Sequence, residues 1–397
     1  MVIADISLGR QFGNNMALPY PASVLVLKGM GESTLGETDL MRSLHEAPIP
    51  LLVWDSTGAL ARAGWRSRRA LGRIAACAWG EDVGLFDPIM APWLPESGRE
   101  SYLNYVASHL VAPAMQPFLV DILAGLLDAP EEMAWLLTER EGFGSFGLVP
   151  AIAKALGEAA AKERALDVAW KLAGAGLAGN LVRRLVFDSQ INSGAVLADL
   201  AKALAPLRWQ ESRESYGDLD LEMLQRGGAT TAYLTHQDWL GAKFALLALS
   251  IMLDRVPKVP GACRAAVVID LEDGLDGIEG LHRIVGACRS LGVSVTLSVR
   301  NVAAVRRLGF EAPAAMFALF DAVLCLGTVD VETLAWLDGP SEQLPSVWRR
   351  SRHRLQRLMP FIRSDQSVAA CMDGLGQGEG LLLRTHQPIA ATTLQVA

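Results

Sequence analysis

Short apolar runs that stop abruptly at glycines or acids constrain this chain more than any other feature. Ala22–Lys28 (ASVLVLK) stops at Gly29-Met30-Gly31, and Leu51–Asp55 (LLVWD) ends on an acid. Thr230–Leu234, Ala265–Asp270, Val293–Val299, Ala322–Leu326 and Gly380–Arg384 follow further along, and Cys77–Trp79 and Leu85–Phe86 read as shorter strand material. Helical segments separate them at Thr38–Glu46, Gly241–Leu253, Gly277–Leu291 and Val302–Leu308. Apolar runs bounded by turn residues and alternating with helices read as βαβ units, so the expected class is α/β, a mainly parallel sheet flanked by helices.

From Ser97 to Gly179 the texture is helical throughout. Pro130 followed by Glu131 and Glu132 starts a helix with acids at the positive end of its dipole, and Pro150 opens another. This block reads as an all-α inserted domain, 97–179, between two pieces of the α/β domain, 1–96 and 180–397.

The 397 residues are 51% hydrophobic and 20% charged, which excludes a disordered chain. A net charge of −7 argues against a surface given over wholly to nucleic acid. The five cysteines (Cys77, Cys263, Cys288, Cys325, Cys371) include no C-x-x-C pair, so neither a disulfide framework nor a cysteine zinc site is expected. No basic segment followed by an apolar one leads the chain, so no signal peptide is expected. The uncharged stretch Ser101–Val120 contains Asn104, Ser108, His109, Pro113 and Pro117, too polar for a membrane span. A soluble, cytoplasmic protein is the expectation.

Gly31-Glu32-Ser33-Thr34-Leu35-Gly36-Glu37-Thr38 lies between the first apolar run and a helix. A phosphate-binding loop of the Walker A type, G-x-x-x-x-G-K-[ST], sits in that context and cradles phosphates with backbone N–H groups. Both glycines and the terminal hydroxyl are in register, but Glu37 replaces the lysine and Glu32 adds a second carboxylate. A lysine ~4 Å from a phosphate charge contributes ~4 kcal/mol at an effective dielectric of ~20, and glutamate reverses that sign. The other reading of the same residues is an ordinary glycine-containing turn.

Ala265–Asp270 (AAVVID) has the form of a Walker B strand ending on a magnesium-holding Asp. The plain alternative is a buried strand ending at an acidic loop. Where many such ATPases place a catalytic Glu, this chain has Leu271, with Glu272 and Asp273 beyond it. Strand alternation puts Glu272 on the face of Asp270.

In their order, these motifs resemble those of the type IV secretion and conjugation coupling proteins, the TraG/TraD-like ATPases. The resemblance rests on Leu51–Leu60 (LLVWDSTGAL) with Arg68-Arg69 and Phe86-Asp87-Pro88, on Gly227–Leu234, and on Asp270–Arg300 with Arg289, Gly292 and Val293–Leu297. The tail Gly378–Leu383 with Gln387-Pro388-Ile389 is similar to the family's closing strand pair. The resemblance implies a RecA-like P-loop NTPase fold interrupted by an all-α domain. It implies a nucleotide site at Gly31, Gly36, Glu37, Thr38 and Asp55, with Thr38 and Asp270 on Mg2+ when nucleotide binds.

The departures fall on the chemistry. Glu37 replaces the loop lysine, Thr57 and Ala59 stand where the family's second strand has Lys and Glu, Leu271 replaces the base, and Arg300 replaces a polar sensor. That pattern is the pattern of a pseudo-ATPase, with no cofactor expected beyond weak ATP or ADP with Mg2+. The implied partners are type IV secretion components, relaxase or effector cargo docking on the 97–179 domain, an active coupling ATPase and further copies of the chain. The family's N-terminal transmembrane helices are not seen, so attachment to the inner face of the inner membrane is expected through partners.

Two rival readings stand beside this one. The first is an active oligomeric ATPase, a DNA or protein translocation motor completed in trans or by Asp270, Glu272 and Arg300. The second is a non-hydrolysing ring subunit that binds DNA through Arg62, Arg66, Arg68, Arg69 and Arg73 or through Trp348–Arg354. A solvated helix face and a basic connector are the plain readings of those two segments. His236, Asp238 and Ser193 form no triad.

Overall fold

A computed structural model describes residues 5–11, 14–18, 21–29, 35, 38–60, 74–77, 88–89, 95, 97–135, 146–161, 167–168, 183–184, 192–205, 231–235, 239–255, 265–271, 280–308, 319–326, 330, 332–333, 379–384 and 392–395. The chain divides into two compact units. The first comprises residues 1–77, 222–236 and 252–397, the second 78–221 and 237–251. Residues 97–179 fall inside the second unit, which extends beyond them on both sides.

The first unit carries one sheet. Its strands are β1 (Ile6–Gln11), β2 (Asn14–Leu18), β3 (Ser23–Leu27), β4 (Leu51–Asp55), β5 (Ile74–Cys77), β6 (Thr231–Thr235), β7 (Ala266–Asp270), β8 (Ser294–Val299), β9 (Ala322–Leu326), β10 (Glu379–Arg384) and β11 (Thr392–Gln395). They lie in the order β2-β1-β11-β10-β9-β3-β8-β7-β4-β6-β5. From β9 to β5 every pairing is parallel, whereas β10, β11, β1 and β2 continue the sheet antiparallel. Every residue of β3, β4, β7, β8 and β9 is buried, as a parallel sheet covered on both faces requires.

Six of the apolar runs thus become the parallel strands β3, β4, β6, β7, β8 and β9, and Gly380–Arg384 becomes the antiparallel β10, each within a residue or so of its expected bounds. Strand β5 begins at Ile74, three residues before the strand expected at Cys77–Trp79, of which Ala78 and Trp79 lie outside the described residues. The antiparallel pair β1–β2 was not expected, because ISLGRQ and NNMAL carry too many polar residues to stand out as apolar runs. Leu85–Phe86 lies outside the described residues.

Helix α1 (Asp39–Glu46) follows the glycine loop. Thr38 caps it: its hydroxyl donates to the Leu35 carbonyl at 2.7 Å and accepts from Met41 N–H at 3.3 Å. The helix buries Leu40, Met41, Leu44 and His45. His45 Nδ1 lies 2.9 Å from the Met41 carbonyl, which only accepts, so Nδ1 carries a proton. In the neutral ring Nε2 then accepts from the Tyr233 hydroxyl of β6, 2.7 Å away. This bond ties α1 to the sheet.

The regular elements described in the second unit are all helices. They are α2 (Arg99–Leu110), α3 (Gln116–Asp128), α4 (Pro130–Trp135), a 3-10 turn at Phe146–Leu148, α5 (Val149–Ala161), α6 (Ser193–Leu204) and, through Ile251, α7 (Trp239–Arg255). Gly157 lets α5 and α6 approach closely: a Cβ there would meet the Gly194 carbonyl oxygen at 3.3 Å. Arg184 Nε bonds Asp121 Oδ2 at 2.9 Å. Burial pushes the Asp121 carboxyl above its ordinary range against the pull of that guanidinium. In the first unit, α8 (Leu281–Ser290) and α9 (Val302–Arg307) complete the described helices.

Tyr233→Phe removes the hydroxyl that meets His45 in a buried site, and should lower unfolding free energy by about 1–3 kcal/mol. Chemical denaturation of both proteins measures it; equal stability would show that this bond does not hold α1.

Candidate functional site

Parallel sheets place ligand chemistry at the carboxyl ends of their strands, and here that edge carries three buried polar residues, Asp55, Asp270 and Ser298. Asp55 pairs in register with Asp270, and Asp270 with Ser298, so the three share one row across β4, β7 and β8. Val26 of β3 closes the row, paired with Ser298. Side chains in register across parallel strands point to the same face. Asp55 and Ser298 are fully buried and Asp270 nearly so.

The ladders continue past the strand ends. Lys28 N–H donates to the Val299 carbonyl at 2.9 Å, and Gly29 N–H to that of Arg300 at 3.1 Å. Ser56 N–H donates to the Asp270 carbonyl and Leu271 N–H to that of Ser298. Lys28, two residues after Val26, lies on the face of the polar row, one step beyond it. At Gly29 φ is 66°, a left-handed turn that glycine adopts without strain.

Lys28 then does what the sequence did not announce. Its ammonium crosses β8 and donates to Asp270 Oδ1 at 2.8 Å, with side chains 18% and 8% exposed. At an effective dielectric of ~20, charges at that separation attract by about 6 kcal/mol, much of it offset by desolvation. Residue spacing alone does not reveal the pair, which is 242 positions apart; the available signal was a lysine closing an otherwise apolar strand.

The other acid is held differently. Asp55 Oδ1 accepts from the N–H and hydroxyl of Thr57, both at 3.2 Å, and Thr57 Oγ1 accepts from Ala59 N–H. Thr57, where the resembled family has lysine, therefore closes a local turn. The Ser298 hydroxyl has no hydrogen-bond partner among the described residues.

Of the residues singled out in the sequence, the structure brings Asp55 and Asp270 together. Thr38 is 2% exposed, its hydroxyl used in the helix cap. Leu271 is also 2% exposed, whereas Arg300 is exposed at the end of β8. Ser193 opens α6 and donates to the Arg184 carbonyl at 3.0 Å. Gly31, Gly36, Glu37, Glu272, His236, Asp238, the 62–73 arginines and 348–354 lie outside the described residues. The Cys288 and Cys325 thiols are pushed up to about 12 by burial and supply no thiolate at neutral pH. Among the described residues no group of three His, Cys, Asp or Glu side chains is placed to hold a metal, and no helix is long and apolar enough to cross a membrane.

No family model and no curated protein matches the chain. Solved structures do match. Unbound bacterial conjugative coupling protein TrwB (TrwBdeltaN70) aligns with a TM-score of 0.55 at 12% identity, covering all of this chain and 90% of that one. Plasmid coupling protein TrwB in complex with ADP and Mg2+ gives 0.54 at 14%, covering all of this chain and 91% of that one. TrwB with the ATP analogue ADPNP gives 0.51 at 14%, covering 96% and 87%. The chain thus has the RecA-like P-loop NTPase fold of the conjugative coupling proteins.

The described groups at the expected magnesium positions are engaged by the chain itself. Asp270 Oδ1 faces an ammonium, the Thr38 hydroxyl serves its cap, and the position after Asp270 is apolar. If capping is what Thr38 does, Thr38→Ala should cost about 1 kcal/mol without any nucleotide present. Thermal unfolding measures this, and an unchanged midpoint would free the hydroxyl for another role.

Proposed function

We propose that this chain is a coupling-protein-like subunit of a type IV secretion or conjugation system, acting as a pseudo-ATPase in substrate recruitment or assembly. The fold supports the first part. The observation that carries the second is Leu271: it follows Asp270 directly, is buried, and has its backbone N–H fixed on the Ser298 carbonyl. A buried isobutyl group neither accepts a proton nor orients a water. Absence of a positioned base typically costs ~10²–10⁴-fold in rate.

In this reading the RecA-like faces make oligomer contacts, with copies of the chain or with an active coupling ATPase. The helical block 97–179 docks relaxase or effector cargo, and attachment to the inner face of the bacterial inner membrane comes through partners. Residual nucleotide binding is weak. The TrwB structures with ADP and Mg2+ or ADPNP describe that protein's ligands, and Glu37 in place of lysine makes the same ligands unfavourable here.

Calorimetry should find Mg-ATP binding no tighter than roughly millimolar, about −4 kcal/mol, and a steady-state assay should find no turnover. Micromolar affinity with sustained hydrolysis would contradict the pseudo-ATPase and favour the motor.

A further inference from the structure

Lys28 and Asp270 meet although β8 lies between their strands, a span of two strand spacings, about 9.5 Å. The lysine backbone is fixed by its bond to Val299, so the approach is made by the side chain. Neither side chain makes any other hydrogen bond or ion pair among the described residues. The ammonium lies on Oδ1, the kind of hard oxygen that a divalent cation takes at about 2.0–2.6 Å. Two cations on one carboxylate oxygen would repel each other at close range in a mostly buried site.

The surroundings are those of a cation site already filled. Asp55 stands in the same row as Asp270, and between Lys28 and Asp270 lies Ser298, fully buried, its hydroxyl without a hydrogen-bond partner among the described residues. Three oxygen-bearing side chains, two of them carboxylates, thus share one row, and the positive charge there comes from the chain.

We propose that Lys28 is the resident cation of this sheet edge, standing on Asp270 where a divalent metal would otherwise bind, and that it excludes such a metal from the resting protein. The inference rests on the pseudo-ATPase reading and gives it a physical cause. It is tested separately, because it concerns metal in the absence of nucleotide.

The experiment is titration of the full-length chain with Mn2+, followed by electron paramagnetic resonance without nucleotide. It compares wild type, Lys28→Met, Asp270→Asn and Lys28→Met/Asp270→Asn, each checked for folding by circular dichroism. Wild type and Asp270→Asn should bind Mn2+ alike, with only weak surface sites. Lys28→Met should gain one site at least roughly tenfold tighter, and the double variant should lose it.

A wild-type Mn2+ site abolished by Asp270→Asn would overturn the proposal, as would a folded Lys28→Met protein binding no tighter than wild type. If Lys28→Met does not fold, Lys28→Gln takes its place, and the comparison of wild type with Asp270→Asn still decides. ATP turnover by a wild type that binds no Mn2+ at rest would contradict the proposed function and leave this inference standing. A wild-type Mn2+ site without turnover would do the reverse.

Discussion

The registers of β3, β8, β7 and β4 at their carboxyl ends determine the polar chemistry of this chain. Because the strands are parallel and in step, Asp55, Asp270 and Ser298 fall in one buried row, with Lys28 one step above. Two carboxylates brought side by side away from water need compensation, by hydrogen bonds or by a cation. Asp55 takes the first route through the Thr57 turn, and Asp270 the second through Lys28. The sheet order, the left-handed turn at Gly29 and the buried Leu271 all bear on that edge.

Much of the sheet was legible in the sequence because parallel strands covered on both faces must be apolar along their whole length. LLVWD, AVVID and AVLCL can hardly be anything else once turns and helices flank them. The antiparallel strands β1 and β2 escaped notice for the opposite reason: a strand toward a sheet edge tolerates polar residues, and ISLGRQ reads like a loop. The His45–Tyr233 bond was invisible because it joins residues 188 positions apart, and a histidine inside a helix carries no signal of its partner.

The site was legible in outline only. Asp55 and Asp270 each ended an apolar run, which marked them as residues of the strand ends. Their partners were not marked. Thr57 stands where the resembled family has lysine and closes a turn on Asp55; Thr38, expected on Mg2+ when nucleotide binds, caps α1 with its hydroxyl. Lys28 looked like the polar end of a strand. In each case a side chain that sequence reasoning assigned to a ligand, or to nothing, is engaged by the chain itself.

Lys28 and Asp270 form an energetically coupled pair, and a double-mutant cycle measures that coupling directly. Unfolding free energies of wild type, Lys28→Met, Asp270→Asn and the double variant should yield an interaction energy of about 1.5–3 kcal/mol, as for a charged hydrogen bond in a mostly buried site. A value indistinguishable from zero would mean that the two residues are neighbours without being partners, and that Lys28 does not hold the charge of Asp270 at this sheet edge.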